Sequence, residues 1–156
     1  RAGPGQNIAL ARSPAPRLLR SATGAFAVEV SLVELEGSER RSGGLILWQS
    51  AEQLVVFGKM SPLGDDLRLE VRRHGHHELV GRGCLPGGAV RLRLERVGDR
   101  VRALCASEAS GWQECGGCQF DARESARVGL FVTCPSGYPD CAGRFRDFRI
   151  LQERLD

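Results

Sequence analysis

The chain has 156 residues and a formal net charge of +3, and is 42% hydrophobic and 26% charged. That length fits one domain, the composition is that of a folded globular chain rather than a disordered one, and no apolar run nears the roughly 18 residues of a membrane-spanning helix. The charge is too small to point to nucleic acid, while 20 glycines point to many turns.

Residues 1–17 contain Gly3, Pro4, Gly5, Pro14 and Pro16 without an apolar period and read as a linker or N-terminal arm. With no initial Met and no charged-then-apolar leader, the sequence reads as an excised or mature part of a longer protein. From Leu18 the pattern changes. Short runs of Val, Leu, Ile and Phe alternate with glycine-containing breaks, and none holds a helical period over three turns. Strands are predicted near 18–21, 25–35, 43–49, 53–59, 66–73, 77–84, 89–97, 100–106, 111–115, 126–133 and 142–151. The folded domain is therefore 18–152, with a tail at 153–156.

Three hairpins can be registered by keeping apolar side chains on one face. A turn at Ser50-Ala51 sets Leu47 opposite Leu54 and Ile46 opposite Val55. A three-residue loop, His74 to His76, sets Val71 opposite Leu79 and Arg72 opposite Glu78; a shorter loop would bury Glu78 against Val71. A two-residue turn at Gly98-Asp99 sets Leu94 opposite Ala103 and Leu92 opposite Cys105 inside, with Glu95 across from Arg102 outside. Val28, Val30 and Leu32 alternate, as do Val128, Leu130 and Val132, whereas the last strand breaks its alternation at Asp147, the mark of a bulge. Eleven antiparallel strands need two packed sheets or a closed barrel.

Several stretches carry a family resemblance in their order. They are Pro16-Arg17-Leu18-Leu19, Gly24-Ala25-Phe26-Ala27-Val28-Glu29-Val30, Gly44-Leu45-Ile46-Leu47-Trp48 and Leu92-Arg93-Leu94-Glu95-Arg96-Val97-Gly98-Asp99. A hairpin running to Trp112, then Val128-Gly129-Leu130-Phe131 and Phe145-Arg146-Asp147-Phe148-Arg149-Ile150, complete the set. Over about residues 16–151 the chain resembles the concanavalin A-like lectin/glucanase superfamily, and is most similar to bacterial noncatalytic modules of the β-xylosidase C-terminal type. The resemblance implies an all-β, two-sheet antiparallel jelly-roll sandwich. It also implies a noncatalytic carbohydrate-binding module of a larger bacterial protein. A protein-interaction or structural module packing against a neighbouring domain is the alternative, and a degenerate glycosidase the third reading. Function must come from a site rather than from the fold.

Catalysis would need two carboxylates sharing a face. The glucanase-like Glu-x-Asp-x-Glu pattern is absent, Glu34 and Glu36 sit at a strand end, and Asp65 and Asp66 would point apart, so no catalytic residue is assigned. The six cysteines permit disulfides and incline the reading to an extracellular setting. Cys134 and Cys141 flank a turn-rich loop and are expected to form a disulfide; zinc on Cys115, Cys118, Cys134 and Cys141 is the lesser reading, and Cys105 is expected to be a buried thiol. His74, His76 and His77 read as an exposed hairpin tip, and Asp65, Asp66 and Asp140 make no dense calcium loop. No metal or cofactor is expected.

Two ligand surfaces remain. The β-hairpin register above places Trp48 and Phe57 on one side, away from Leu45, Leu47, Leu54 and Val56, where the rings would stack on a sugar unless a loop or partner covers them. Nine arginines against four acidic residues between Arg68 and Arg102 make a basic bias, with Arg91, Arg93 and Arg102 sharing an outer face that suits an acidic glycan or protein surface. The expected partners are a glycan or a neighbouring domain, with no nucleic acid and no membrane insertion.

Overall fold

The computed structural model describes residues 17–37, 41–60, 66–121, 125–134 and 140–152. The expected arm, apart from Arg17, and the tail at 153–156 lie outside them. Eleven strands form: β1 (Arg17–Thr23), β2 (Phe26–Glu36), β3 (Ser42–Ser50), β4 (Gln53–Lys59), β5 (Asp66–Arg73), β6 (His76–Cys84), β7 (Val90–Val97), β8 (Arg100–Ala106), β9 (Gln113–Gln119), β10 (Ser125–Thr133) and β11 (Ala142–Gln152). All neighbouring pairs run antiparallel.

Instead of two separate sheets, one continuous sheet runs β1-β10-β3-β4-β5-β6-β9-β8-β7-β2-β11 and folds back on itself. The seam is a single pair, Gly81 with Gly116. Glycine is required there by close approach: a Cβ on Gly81 would stand 2.4 Å from the Cys115 carbonyl oxygen, and one on Gly116 2.8 Å from Gly81 Cα. Gly116 also holds φ near 148°, a conformation that side chains disfavour. The two glycines made 111–115 look like the end of a strand; β9 in fact runs through them to Gln119.

Between the two halves lies one core. Leu45, Leu47, Val55, Phe57, Leu67, Leu69 and Val71 enter it from one half, and Val28, Val30, Leu32, Leu92, Leu94, Val101 and Ala103 from the other. Alternation in β5 and β7 is strict, each with one face buried and the other wetter, as a half-covered strand requires. The bulge expected in the last strand is present, with Asp147 at φ 55° between the Arg146 and Arg149 pairings.

Hairpin registers divide by how different their faces are. β7 and β8 pair as predicted, Leu92 with Cys105, Leu94 with Ala103 and Glu95 with Arg102. β3 and β4 are displaced by one residue: Leu47 meets Val55, Trp48 meets Leu54, and Gln49 is the extra residue before a turn at Ala51-Glu52. A one-residue slip exchanges faces, so Phe57 and Val55 move into the core while Leu54 and Val56 join Ile46, Trp48 and Phe131 outside it. β5 and β6 close with the shorter loop, His74-Gly75, whose φ values of 49° and 77° suit a type I′ turn. Val71 then faces Glu78, but Glu78 stays exposed at the sheet margin and bonds Arg73 at 2.7 Å. A bulge at Val80 returns the apolar side chain to the core.

Candidate functional site

The outward positions of β2, β7, β8, β9 and β11 carry alternating charges because register sets opposite signs side by side. Glu29 faces Arg93 on β7 and Arg149 on β11, and Glu95 faces Arg102 on β8. Arg149 Nε donates to Glu29 Oε2 at 2.8 Å, and Arg93 Nη1 donates to the other oxygen. Arg93 Nε also donates to Glu95 Oε1 at 2.7 Å, and Arg102 donates twice to Glu95 Oε2, at 2.5 and 3.0 Å. Arg102 Nη1 lies 3.6 Å from Glu114 on β9. The row thus crosses five strands, and Glu29 within it is only 5% exposed. Burial alone would weaken the Arg93 charge, but its bonds to Glu29 and Glu95 outweigh that and raise its pKa. Burial likewise would raise the Glu95 pKa, yet the guanidiniums of Arg102 and Arg93 hold it below the ordinary carboxylate range.

Trp112, just before β9, lies beside this row. The Arg91 guanidinium carbon is 4.7 Å from its ring centroid and that of Arg93 5.9 Å, both within cation–π range. Two clefts flank Glu95. One of about 640 Å³ is lined by Glu95, Val97, Arg100, Arg102 and Glu114 among others; another of about 290 Å³ has Phe26, Arg93, Glu95, Arg96 and Leu151 in its wall. These volumes bracket the lower range of small-molecule sites.

Arg91, Arg93 and Arg102 therefore share one face, as the sequence indicates, while Trp48 and Phe57 do not share theirs. Phe57 is wholly buried in the main core, and Trp48 is 8% exposed in the apolar cluster on the outside of the opposite half. The one-residue register shift separates them. Trp112, Glu29 and Arg149 are the site members that strand patterning missed. Glu29 and Arg149 occupy ordinary outward strand positions, and Trp112 stood in a segment taken for a strand. The available signal was charge pairing across β2, β7 and β11 once register is known.

Glu34 and Glu36 are both exposed, and Glu34 lies 3.7 Å from Arg144. Asp66 bonds Arg68 at 3.1 Å, and His77 meets Glu70 at 2.8 Å. Asp65 lies outside the described residues. Among the described residues no three His, Cys, Asp or Glu side chains converge on a metal position. The four thiols considered for zinc lie in two different clusters: Cys115 touches Cys105, and Cys134 touches Cys141. The Sγ–Sγ separations are 3.2 Å for the first pair and 2.8 Å for the second. Burial first, then the neighbouring sulfur, pushes Cys115 up to about 12 and Cys134 up to about 11.

No family model matches the sequence, and no curated protein does. Solved structures do. The GH43 protein BlXynB from Bacillus licheniformis superposes with a TM-score of 0.76 at 16% identity, over 96% of this chain and 32% of that one. The xylan beta-1,4-xylosidase from Bacillus halodurans C-125 gives 0.75 at 18% identity, again over 96% and 32%. The carbohydrate binding module CBM66 from Bacillus subtilis gives 0.59 at 13% identity, over 85% of this chain and 78% of that module. The chain shares its all-β, sandwich-like fold with the matching parts of these structures. The chain spans about a third of the length of the first two proteins.

Proposed function

We propose that this chain is a noncatalytic carbohydrate-binding module, a concanavalin A-like jelly roll working within a larger protein, and that it binds through the Trp112–Arg91–Arg93–Glu95–Arg102 face. The observation that carries this reading is the row of carboxylates and guanidiniums between a tryptophan and two clefts. The fold it shares with a carbohydrate-binding module supports it.

Sugars present apolar C–H faces and a rim of hydroxyls. A ring such as that of Trp112 matches the former, while carboxylates accept from hydroxyls and guanidiniums donate to them. Arg93 and Arg102 are already bonded to Glu29 and Glu95, which fixes their geometry before a ligand arrives and lowers the ordering cost of binding. Within the ion-paired row, Arg93, Arg102 and Arg149 are matched one for one by Glu29, Glu95 and Glu114, so the row itself carries no net charge. A neutral, hydroxyl-rich ligand is accordingly favoured over the acidic glycan that the arginines alone suggest. Trp48 and Phe57, buried on opposite sides of β3 and β4, are replaced in this proposal by Trp112.

Gel retardation in the presence of xylan, a mixed-linkage β-glucan or polygalacturonate tests the proposal, with released reducing ends followed in parallel. Retardation by a neutral polysaccharide without new reducing ends is expected. Release of reducing ends would reinstate a glycosidase. Unchanged mobility with every polysaccharide would turn the assignment to the interaction module.

A further inference from the structure

We propose that Cys105 and Cys115 form an intrachain disulfide beside the one expected between Cys134 and Cys141, leaving Cys84 and Cys118 as thiols in the oxidised protein. Cys105 lies on β8 and Cys115 on the adjacent antiparallel strand β9. Leu104 pairs with Glu114 and Ala103 with Gly116, so Cys115 is the extra residue of a bulge. That bulge turns its side chain toward Cys105, and the two sulfurs meet at 3.2 Å. Both residues are buried, at 2% and 8% exposure.

The surroundings make room for this sulfur pair. A Cβ on Gly83 of β6 would lie 2.7 Å from Cys115 Sγ and 3.5 Å from Cys105 Sγ. Only a residue without a side chain leaves space for both sulfurs at this point beside the seam. The two remaining cysteines lie elsewhere on β9 and β6. Cys118, the second cysteine of the Cys-Gly-Gly-Cys run, is partly buried three residues further along β9, and Cys84 is exposed at the end of β6.

The bond would form by thiol–disulfide exchange with a small disulfide such as oxidised glutathione. One cysteine, as thiolate, attacks a glutathione sulfur; the glutathione S–S bond breaks, and the departing glutathione thiolate takes up the proton. The second cysteine then attacks the mixed disulfide, closing the Cys105–Cys115 bond and releasing a second reduced glutathione. Two electrons pass from the cysteine pair to the glutathione disulfide. Because burial holds the Cys115 thiol protonated in the folded chain, the exchange belongs to folding, while β8 and β9 are still open to solvent.

The test is to refold the full chain in a reduced/oxidised glutathione buffer, alkylate remaining thiols in denaturant, and digest with a protease cutting after Glu108 and Glu114. The expected result is a Cys105–Cys115 cross-linked peptide, alkylation at Cys84 and Cys118 alone, and an intact mass, taken before alkylation, four hydrogens below that of the reduced chain. A Cys115–Cys118 link, or alkylation of both Cys105 and Cys115, would overturn the proposal. The double variant Cys134→Ser/Cys141→Ser should still melt at a lower temperature with reductant than without it. Adding Cys105→Ala and Cys115→Ala should remove that difference. If the double variant shows no difference, the Cys105–Cys115 link is absent.

Discussion

Replacing each of the two tryptophans with alanine separates the core of the molecule from its candidate site. Trp48 is 8% exposed and packed with Ile46, Leu54, Val56 and Phe131. Removing so large a buried ring costs about 3–5 kcal/mol, from lost transfer energy and the cavity left behind. At about 2–4 °C per kcal/mol for a domain near this size, the melting temperature of Trp48→Ala should fall by about 6–20 °C. Trp112 is only half-buried, and its specific contact is the Arg91 guanidinium at 4.7 Å. Loss of an exposed cation–π contact costs about 0.5–1 kcal/mol, so Trp112→Ala should melt within a few degrees of the wild type. With only two tryptophans in the chain, each variant is also a single-tryptophan protein. Trp112→Ala should emit at short wavelength and resist iodide quenching, whereas Trp48→Ala should be quenched readily and protected by a bound glycan. Differential scanning fluorimetry beside iodide titration reads all of this. A Trp48→Ala protein that melts like the wild type but loses glycan binding would refute the register and the site together.

The Glu95 carboxyl is held below the ordinary value of 4.5 in the folded chain, so its ion pairs stabilise fully above that pH. Their contribution is lost as pH falls through the lower folded value. Melting temperature should therefore drop on acidification below about pH 4.5, and Glu95→Gln should flatten that part of the profile; an identical profile in the variant would contradict the assignment. Gly81→Ala should force β6 and β9 apart, because its Cβ would sit 2.4 Å from a backbone oxygen. Overpacking of this kind costs about 1–3 kcal/mol, and an unchanged urea midpoint would show that the seam is not tight.

How far the sequence could be read depended on contrast between strand faces. β7 and β8 alternate apolar with charged residues, and their predicted register is the observed one. Leu45 to Trp48 and Leu54 to Phe57 are apolar on both faces, so a slip of one residue changed nothing that alternation can detect, and Trp48 and Phe57 were joined wrongly. Bulges were the second barrier. The one at Asp147 interrupts a charged alternation and was visible, whereas those at Val80 and Cys115 are offset by glycines that read as chain breaks. The shared outer face of Arg91, Arg93 and Arg102 was legible for the same reason as β7. Glu29, Arg149 and Trp112 depend on which strands become neighbours across the fold, and no local pattern encodes that.

Calorimetric titration of a soluble neutral oligosaccharide, taken from the polysaccharide that retards the protein, tests the central claim most directly when run on wild type, Trp112→Ala and Arg91→Ala. The account predicts saturable heat for the wild type, its loss in Trp112→Ala and weakening in Arg91→Ala, with all three proteins melting within a few degrees of one another. Unaltered binding by both variants would contradict it, because the ligand would then be held somewhere other than the Trp112 face.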